Sequence, residues 1–356
     1  MEFKPLKIGN LIASLPIIQG GMGIGVSLSG LASAVAANGG IGIISAAQPG
    51  FDEPDFEKNS LAANLRALKR HIKEAIMKAK VGIIGVNIMC AMNDYEDLVK
   101  ASIEAGAQLI ISGAGLPTTL PKLCQDTDVK IAPIVSSNKA ASLILKLWDR
   151  NYNTTADAVI VEGPEAGGHL GFKAEDLEKY SECSFDEELV NIINTVKTYE
   201  EKYNKSIPVI AAGGVYTGSD IGRLLKLGAS GVQMATRFVT TDECDAHINY
   251  KRAYVNCTKD DIVIVKSPVG MPGRAIKNKF VERTFLGKIK VDKCYKCISK
   301  CNPAVTPYCI SRALINAVQG DVDNGLIFCG SSAYKTDKII PVKDLMEELT
   351  TQLKEY

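Results

Sequence analysis

Eight short apolar runs, each followed by a longer helical pattern, place the strongest constraint on how this chain can fold. The runs lie near residues 17–20, 41–45, 83–88, 107–112, 130–135, 157–162, 208–212 and 231–236. Strands that are apolar along their whole length are typical of a parallel sheet whose two faces are both covered by helices. The pattern therefore predicts an α/β fold with eight parallel strands.

Eight is the number of strands that closes a TIM (β/α)8 barrel, and we expect this architecture. An open, doubly wound sheet would show the same alternation, but its G-x-G-x-x-G fingerprint should follow the first strand. Residues 20–25 read GGMGIG instead. In three joins the helix is predicted to end at Gly39, Gly106 or Gly228, where glycine supplies a left-handed C-terminal cap.

The chain is longer than the barrel requires, and we divide it into three segments. Residues 1–250 hold the predicted barrel, with a βα excursion at 48–80 between the second and third strands. Residues 251–310 lack a clean alternation of strands and helices, and we expect an inserted lid or cap over the C-terminal mouth, where active sites of this fold lie. Residues 311–356 are predicted as C-terminal helices that pack on the barrel, the last with three leucines at i, i+4 and i+8.

Charge and hydropathy exclude several classes of protein. Lys plus Arg number 41 and Asp plus Glu 40, a net charge of +1 without blocks of like charge, which argues against nucleic acid or an anionic membrane as a partner. No apolar run is long enough to cross a bilayer. The first ten residues lack the apolar core of a secretory signal, so we expect a cytoplasmic protein with reduced cysteines. The oligomeric state is not fixed by the sequence, and a homodimer stays open.

The glycine-rich segment VEGPEAGGHLGF, residues 161–172, directly follows the sixth predicted strand. Its glycines let the backbone approach a ligand closely, and it contains His169, one of three histidines in the chain. We favour a general acid or base poised near neutral pH over a turn histidine bonded to the backbone. His71, in the charged helical pattern KRHIKEA, is expected to be exposed, and His247 to be structural.

Two further loops indicate a bound phosphate group. The segment IPVIAAGGVYTG ends a strand at Gly213 and Gly214 and opens a helix, and SGVQMATRF ends the next strand at Ala235 and Thr236. In an eight-stranded barrel the loops after strands seven and eight, with a helix N-terminus, form the usual phosphate site. The sequence therefore predicts a cofactor that carries a phosphate group.

Polar groups near the first and third strands are weaker indications of the same site. The stretch QGGMG, residues 19–23, offers a backbone approach to a flat ligand. Asn87, at the end of the third strand, must find polar partners. A ring amide or carbonyl of a cofactor and a hydrogen bond inside the barrel would serve equally well, and both stay open.

Four cysteines, Cys294, Cys297, Cys301 and Cys309, fall within sixteen residues. Four thiolates this close in sequence can converge on a metal ion or an iron–sulfur centre. The spacing C-x2-C-x3-C-x7-C matches neither the common zinc nor the common ferredoxin pattern. We therefore favour reduced or redox-active thiols and keep a metal site as the alternative.

Taken together, PIIQGGMG, GVNIM, VEGPEAGGHLGF, IPVIAAGGVYTG and GVQMATRF resemble the nitronate monooxygenase family, formerly called 2-nitropropane dioxygenases. Flavin-dependent enoyl-acyl-carrier-protein reductases share the pattern and the fold. The resemblance covers roughly residues 5–275 and implies a TIM barrel that binds FMN, with His169 as the catalytic acid or base. The family's flavin contacts fall on Gly21, Met22, Asn87, Glu162, Gly167, Gly213, Gly214, Gln233, Met234, Ala235 and Thr236.

The resemblance implies two related activities on a small-molecule substrate. The first is oxidation of alkyl nitronates with O2, and the alternative is reduction of an enoyl thioester or a quinone with NAD(P)H as the reductant of the flavin. Glu162 stands where nitronate monooxygenases commonly carry glutamine and the enoyl reductases carry glutamate, which favours the reductases. Ala235 replaces a usual glycine and adds a methyl group near the phosphate. A flavin-binding redox sensor that uses the cysteines is the non-catalytic hypothesis.

Overall fold

A computed structural model describes residues 2–180 and 182–356 of the chain. In this part of the chain the strands are β1 (Leu6–Ile8), β2 (Leu11–Ala13), β3 (Ile17–Gln19), β4 (Ile41–Ser45), β5 (Ile83–Met89), β6 (Leu109–Gly113), β7 (Lys130–Val135), β8 (Val159–Glu162), β9 (Gly168–His169), β10 (Val209–Ala212), β11 (Gly231–Met234), β12 (Ile262–Lys266) and β13 (Pro272–Ile276). The α-helices are α1 (Ser29–Ala37), α2 (Ser60–Ala79), α3 (Tyr95–Glu104), α4 (Leu120–Leu123), α5 (Asn138–Tyr152), α6 (Glu182–Tyr203), α7 (Gly218–Lys226), α8 (Thr236–Val239), α9 (Ile248–Asn256), α10 (Lys279–Leu286), α11 (Ile310–Val318) and α12 (Val342–Glu355).

Eight parallel strands close into a barrel in the order β3-β4-β5-β6-β7-β8-β10-β11, and β11 pairs back to β3. The prediction of a TIM barrel is confirmed, and each predicted apolar run overlaps one barrel strand. The runs are continuously apolar because both faces of each strand are buried. On β4, for example, Ile43 packs in the barrel interior while its neighbour Ile44 packs against the surrounding helices.

The N-terminal end of the barrel is closed by the antiparallel hairpin β1–β2. Its side chains Leu6, Ile8 and Ala13 join the interior cluster that also contains Ile18 and Ile41. The predicted glycine caps are present as well, since the φ angles of Gly39, Gly106 and Gly228 are 88°, 94° and 106°. The hairpin leaves the opposite end, where the strands finish, as the open mouth of the barrel.

The last helix, α12, covers the junction where the barrel closes. It packs against α1 and α7, which flank β3 and β11. Its three leucines at i, i+4 and i+8, Leu345, Leu349 and Leu353, are all buried. The helix that directly follows β11, α8, has only four residues, and α12 takes over the role of the eighth outer helix.

A small antiparallel sheet lies over the mouth of the barrel. The hairpin β12–β13 adds β9 in the order β12-β13-β9, with Gly273 opposite His169 and Arg274 opposite Gly168. A separate apolar cluster supports this sheet, and it includes Val265, Phe280, Tyr308, Ile310 and Leu326. The exact boundaries of the lid, which we predict at 251 and 310, stay a prediction.

His71 differs from its sequence-based expectation. It lies on α2, which packs against α1, and only 9% of its surface is exposed. Its Nδ1 atom is 3.1 Å from Oγ of Ser29, and burial lowers the pKa of the imidazole. Arg70 and Lys73 beside it are exposed, whereas Glu74 lies next to the imidazole and accepts a hydrogen bond from Oγ of Ser29 at 2.9 Å. His247 is structural, because its Nδ1 accepts a hydrogen bond from Asn249 N at the start of α9.

Among the described helices, none combines the length and the apolar composition that a membrane span requires.

The start of α1 is held by Asp245, a residue distant in sequence. The carboxylate accepts hydrogen bonds from the backbone N–H groups of Leu28, Gly30 and Leu31 at 2.7–3.1 Å. The first residue before the helix supplies no side-chain cap of its own. Asp245 therefore takes the place of an N-cap residue and fixes the end of the loop that connects β3 to α1.

We expect the substitution Asp245→Ala to lower the free energy of unfolding by about 1–2 kcal/mol, because three backbone N–H groups at the start of α1 lose their acceptor. Urea unfolding followed by circular dichroism measures the change. The control is Asp292→Ala, since the Asp292 side chain is exposed and pairs with the exposed Lys290. Equal stability of the two variants would show that Asp245 does not act as a cap.

Candidate active site

A cavity of about 400 Å³ opens at the carboxyl end of the barrel strands. Every barrel strand contributes its last residues or the residue that follows them, from Gly20 after β3 to Met234 at the end of β11. This edge is where parallel α/β barrels place their reactive groups. The loop 328–332 and the lid residue Met271 complete the walls.

All residues that the resemblance assigns to the flavin or to catalysis line this one cavity. They are Gly21, Met22, Asn87, Glu162, Gly167, His169, Gly213, Gly214, Gln233, Met234, Ala235 and Thr236. The structure thus brings together residues that are up to 215 positions apart. Their contacts with a cofactor stay a prediction.

The loops after β10 and β11 form the glycine-rich side of the cavity. Gly213 and Gly214 have φ angles of 91° and 77°, a conformation that other residues adopt only with strain. A Cβ atom at Gly214 would also collide with Oε2 of Glu165. Thr236 is the first residue of α8. The two glycines therefore add no side chain of their own to this wall of the cavity.

Two polar side-chain atoms on the cavity wall are buried and have no hydrogen-bond partner within residues 2–180 and 182–356. They are Oε1 of Gln233 and Oγ of Ser331. A buried polar atom without a partner costs about 1–3 kcal/mol, so such atoms mark places where a ligand supplies the missing bond. The residues present therefore fit a polar, flat cofactor such as a flavin.

His169 is held between the barrel and the lid. Its Nε2 atom lies 2.7 Å from Oγ of Ser267, a buried residue that directly follows β12. The ring of Phe328 packs edge-on against the imidazole, with 5.0 Å between the ring centroids. Burial lowers the pKa of His169 to about 4, which corrects the expectation of a group that titrates near neutral pH. At pH 7 the imidazole is neutral.

Glu162 ends β8 and also lines the cavity. Burial raises the pKa of its carboxyl group to about 8, because removal from water disfavours the charged form. The carboxyl group is therefore mostly protonated at pH 7. It can then donate a hydrogen bond, which a carboxylate cannot do.

The four clustered cysteines lie in the lid, away from the cavity wall. Cys294 is exposed and Cys297, Cys301 and Cys309 are half-buried. Burial raises the pKa of Cys297 to about 11, so this thiol is protonated and weakly nucleophilic at neutral pH. Within the described ranges, no group of three or more His, Cys, Asp or Glu side chains is placed to hold a metal ion. The metal alternative therefore has no geometric support in this part of the chain.

The cysteine-bearing segment has a structural contact with the barrel. Ser299 N donates a hydrogen bond to Ala91 O at 2.9 Å, and Asn93 N donates to Cys297 O at 3.2 Å. The segment thus holds the loop that follows β5. Since Met89 at the end of β5 lines the cavity, the segment supports one of its walls.

Several residues at the site were not identified from the sequence. Among them are Ser267, which contacts His169, the lid residue Met271, Leu314 and Phe328 from the segment after the lid, and the loop Cys329, Gly330, Ser331 and Ser332. Met271, Leu314 and Phe328 follow no recognisable motif. The Gly-Ser-Ser run before a short 3-10 helix at Ala333–Lys335 is a signal that could have been used, since small polar residues at a turn suit a ligand loop.

Comparisons with known proteins agree with this geometry. A family profile described as "Nitronate monooxygenase" matches residues 4–352. The chain is 28% identical over 346 residues to a "Probable nitronate monooxygenase" of Staphylococcus saprophyticus, covering 91% of this chain and 89% of the relative. It is 30% identical over 268 residues to a carboxyl-CoA dehydrogenase of Mycobacterium tuberculosis, covering 75% of this chain and 64% of the relative.

Solved structures show the same similarity. FabK from Thermotoga maritima has a TM-score of 0.74 and 30% sequence identity, and the match covers 96% of this chain and 94% of FabK. A nitroalkane oxidase from Streptomyces ansochromogenes has a TM-score of 0.73 at 22% identity, with 96% of each chain covered, and shares the fold. The chain belongs to the nitronate monooxygenase family, and it is a flavin-dependent oxidoreductase built on a TIM barrel.

Proposed function

We propose that this chain binds FMN at the mouth of the barrel and oxidises alkyl nitronates with O2, with His169 beside the reacting group. One observation supports the proposal most strongly: the residues that the resemblance assigns to flavin binding and catalysis all line a single cavity. When bound, FMN would accept electrons from the substrate and pass them to O2.

Each wall of the cavity has a separate part in holding the cofactor. Gly213, Gly214 and Thr236 would present N–H groups and a hydroxyl to the phosphate. Gln233, whose Oε1 lacks a partner in the described chain, and Asn87 would bond to the polar edge of the flavin ring. Gly21 keeps the first loop close to Asn87, because a Cβ atom there would collide with Cβ of Asn87.

The state of His169 favours the nitronate over the neutral nitroalkane as substrate. A base with a pKa of about 4 is poorly matched to the removal of a carbon-bound proton at neutral pH. A nitronate has already lost that proton. A neutral imidazole still carries one N–H group that can donate to an oxygen of the substrate, and Ser267 fixes the orientation of the ring at 2.7 Å.

The second candidate is reduction of an enoyl thioester with NAD(P)H. Glu162 favours it, because a carboxyl group with a pKa of about 8 retains a proton that it can give up inside the cavity. The similarity to FabK at 30% identity and to a carboxyl-CoA dehydrogenase also favours it. Reduction of an alkene needs such a proton in addition to a hydride, whereas nitronate oxidation does not.

The two candidates differ in which reagent reduces the flavin. The purified protein is mixed without air in a stopped-flow instrument, and the flavin absorbance is followed. We expect an alkyl nitronate to bleach this absorbance rapidly. NADPH or NADH should leave it unchanged. Rapid bleaching by the nicotinamide and none by the nitronate would reverse the order of the two candidates.

We expect His169→Ala to retain FMN but to lose about 10²- to 10³-fold in kcat, because a hydrogen-bond donor beside the reacting group is removed. Oxygen consumption with a nitronate measures turnover, and the flavin spectrum measures cofactor content. The matched control is His247→Ala, a histidine outside the cavity that should keep the wild-type kcat. Apoprotein from the His169 variant would make His169 a residue of the scaffold or the cofactor site.

The two shifted pKa values predict the pH profile. The neutral imidazole of His169 is present above a pKa of about 4 and is lost only when the pH falls through that value. Turnover should therefore stay constant from about pH 5 to about pH 7, where an ordinary histidine would titrate. Above a pH of about 8 the carboxyl group of Glu162 ionises, and turnover should fall as the anionic substrate meets a carboxylate.

The variant Glu162→Gln separates the loss of turnover at acid pH from the decrease above a pH of about 8. Glutamine cannot ionise, so we expect the decrease in kcat at alkaline pH to disappear. The decrease at acid pH, which comes from His169, should stay unchanged. A decrease at about pH 6.5 in the wild-type enzyme would mean that His169 titrates as an unburied histidine and would contradict the assigned ionisation states.

A further inference from the structure

We infer that the loop 329–332 near the C-terminus forms one wall of the phosphate site, and that the Ser331 hydroxyl donates a hydrogen bond to the phosphate group of the cofactor. The inference rests on the proposed function, since it assumes that a flavin with a terminal phosphate binds in the cavity. Neither the sequence motifs nor the resemblance includes this loop.

The loop lies against both glycine-rich walls of the cavity. A Cβ atom at Gly330 would be 2.6 Å from Oγ1 of Thr236, and one at Gly167 would be 2.6 Å from the carbonyl carbon of Cys329. The two glycines therefore permit a close approach of three loops that are far apart in sequence. Ser331 lies within this junction and lines the cavity.

Hydrogen bonds fix the loop on two sides. Ser331 N donates to Glu165 O at 3.1 Å, and Cys329 N donates to Arg274 O at 3.0 Å. The first bond links the loop to the segment that carries His169, and the second links it to β13. The backbone around Ser331 is thus held in place before any ligand arrives, which lowers the entropic cost of binding.

The Ser331 hydroxyl itself lacks a partner. Its Oγ atom is buried, and residues 2–180 and 182–356 provide no hydrogen-bond partner for it. A serine hydroxyl can donate one hydrogen bond, and a phosphate oxygen is a strong acceptor for it. The Ser331 hydroxyl can therefore donate a hydrogen bond to a phosphate oxygen bound beside Thr236 and Gly330.

The charges around the cavity increase the importance of such neutral donors. Among residues 2–180 and 182–356, no lysine or arginine lines the cavity, whose carboxyl and imidazole side chains are those of Glu162, Glu165 and His169. The Glu165 side chain lies beside Gly214, where a Cβ atom would be 2.1 Å from Oε2 of Glu165. With no cation on the wall, the phosphate would depend on neutral donors, namely the backbone of Gly213 and Gly214 and the hydroxyl groups of Thr236 and Ser331.

The test compares two flavins that differ only in the phosphate. Binding of FMN and of riboflavin to the apoprotein is measured by quenching of flavin fluorescence, for the wild type, Ser331→Ala and the control Ser299→Ala, an exposed lid serine. We expect Ser331→Ala to raise the Kd of FMN about tenfold and to leave the Kd of riboflavin unchanged, because only the phosphate loses a charge-assisted bond. Ser299→Ala should change neither.

Other outcomes have distinct meanings. An unchanged Kd of FMN in Ser331→Ala, or an equal loss for FMN and riboflavin, overturns the inference, and unchanged riboflavin binding serves as the check that the variant is folded. A wild-type protein that binds neither flavin overturns the proposed function instead.

Salt dependence provides a second measurement that does not need a variant. Because no cationic side chain lines the cavity in the described residues, the Kd of FMN should change less than about twofold between about 50 mM and about 500 mM KCl. A steep rise of Kd with salt would show that a lysine or arginine holds the phosphate and would overturn the role of the neutral donors.

Discussion

The pairing of β11 with β3 is the contact on which the site depends, because it closes the barrel by joining its last strand to its first strand. Gln233 lies opposite Ile18 and Met234 opposite Gln19, and Gly20 N donates to Met234 O at 2.8 Å just beyond the paired segment. The first and last loops thus meet at one rim. Residues more than two hundred positions apart then form one wall, and the glycines of both loops face the same cavity.

Burial produces a neutral reaction site from two ionisable residues. The same removal from water lowers the pKa of His169 and raises that of Glu162, since in both cases it disfavours the charged form. At pH 7 the imidazole carries no charge and the carboxyl group keeps its proton. The hairpin β12–β13 and Phe328 contribute to the burial of His169, because β13 pairs with β9 and Phe328 packs on the imidazole.

The barrel and most of its rim could be predicted from the sequence, because strands buried on both faces are apolar throughout and the ligand loops need glycines. A lid over the mouth of the barrel is predicted from the sequence, but its contacts with the barrel could not be predicted. Its strands pair with a two-residue strand at His169, and Ser267 reaches that histidine from 98 positions away, so no local pattern records the contact. The burial of His71 could not be predicted either, because the sequence around it is charged although one face of its helix packs against α1. The pKa of His169 depends on this unpredictable burial.

The division between barrel and lid also separates cofactor chemistry from substrate choice. The residues assigned to the flavin lie on barrel loops, whereas Met271, Leu314 and Phe328 reach the cavity from the segments that follow. Phe328 packs on the His169 ring, so a residue outside the barrel loops limits the space beside this histidine. The barrel itself is shared with nitronate monooxygenases and with FabK. In barrels of this type the segments at the mouth vary while the strands stay the same, so proteins with the same barrel can accept different substrates.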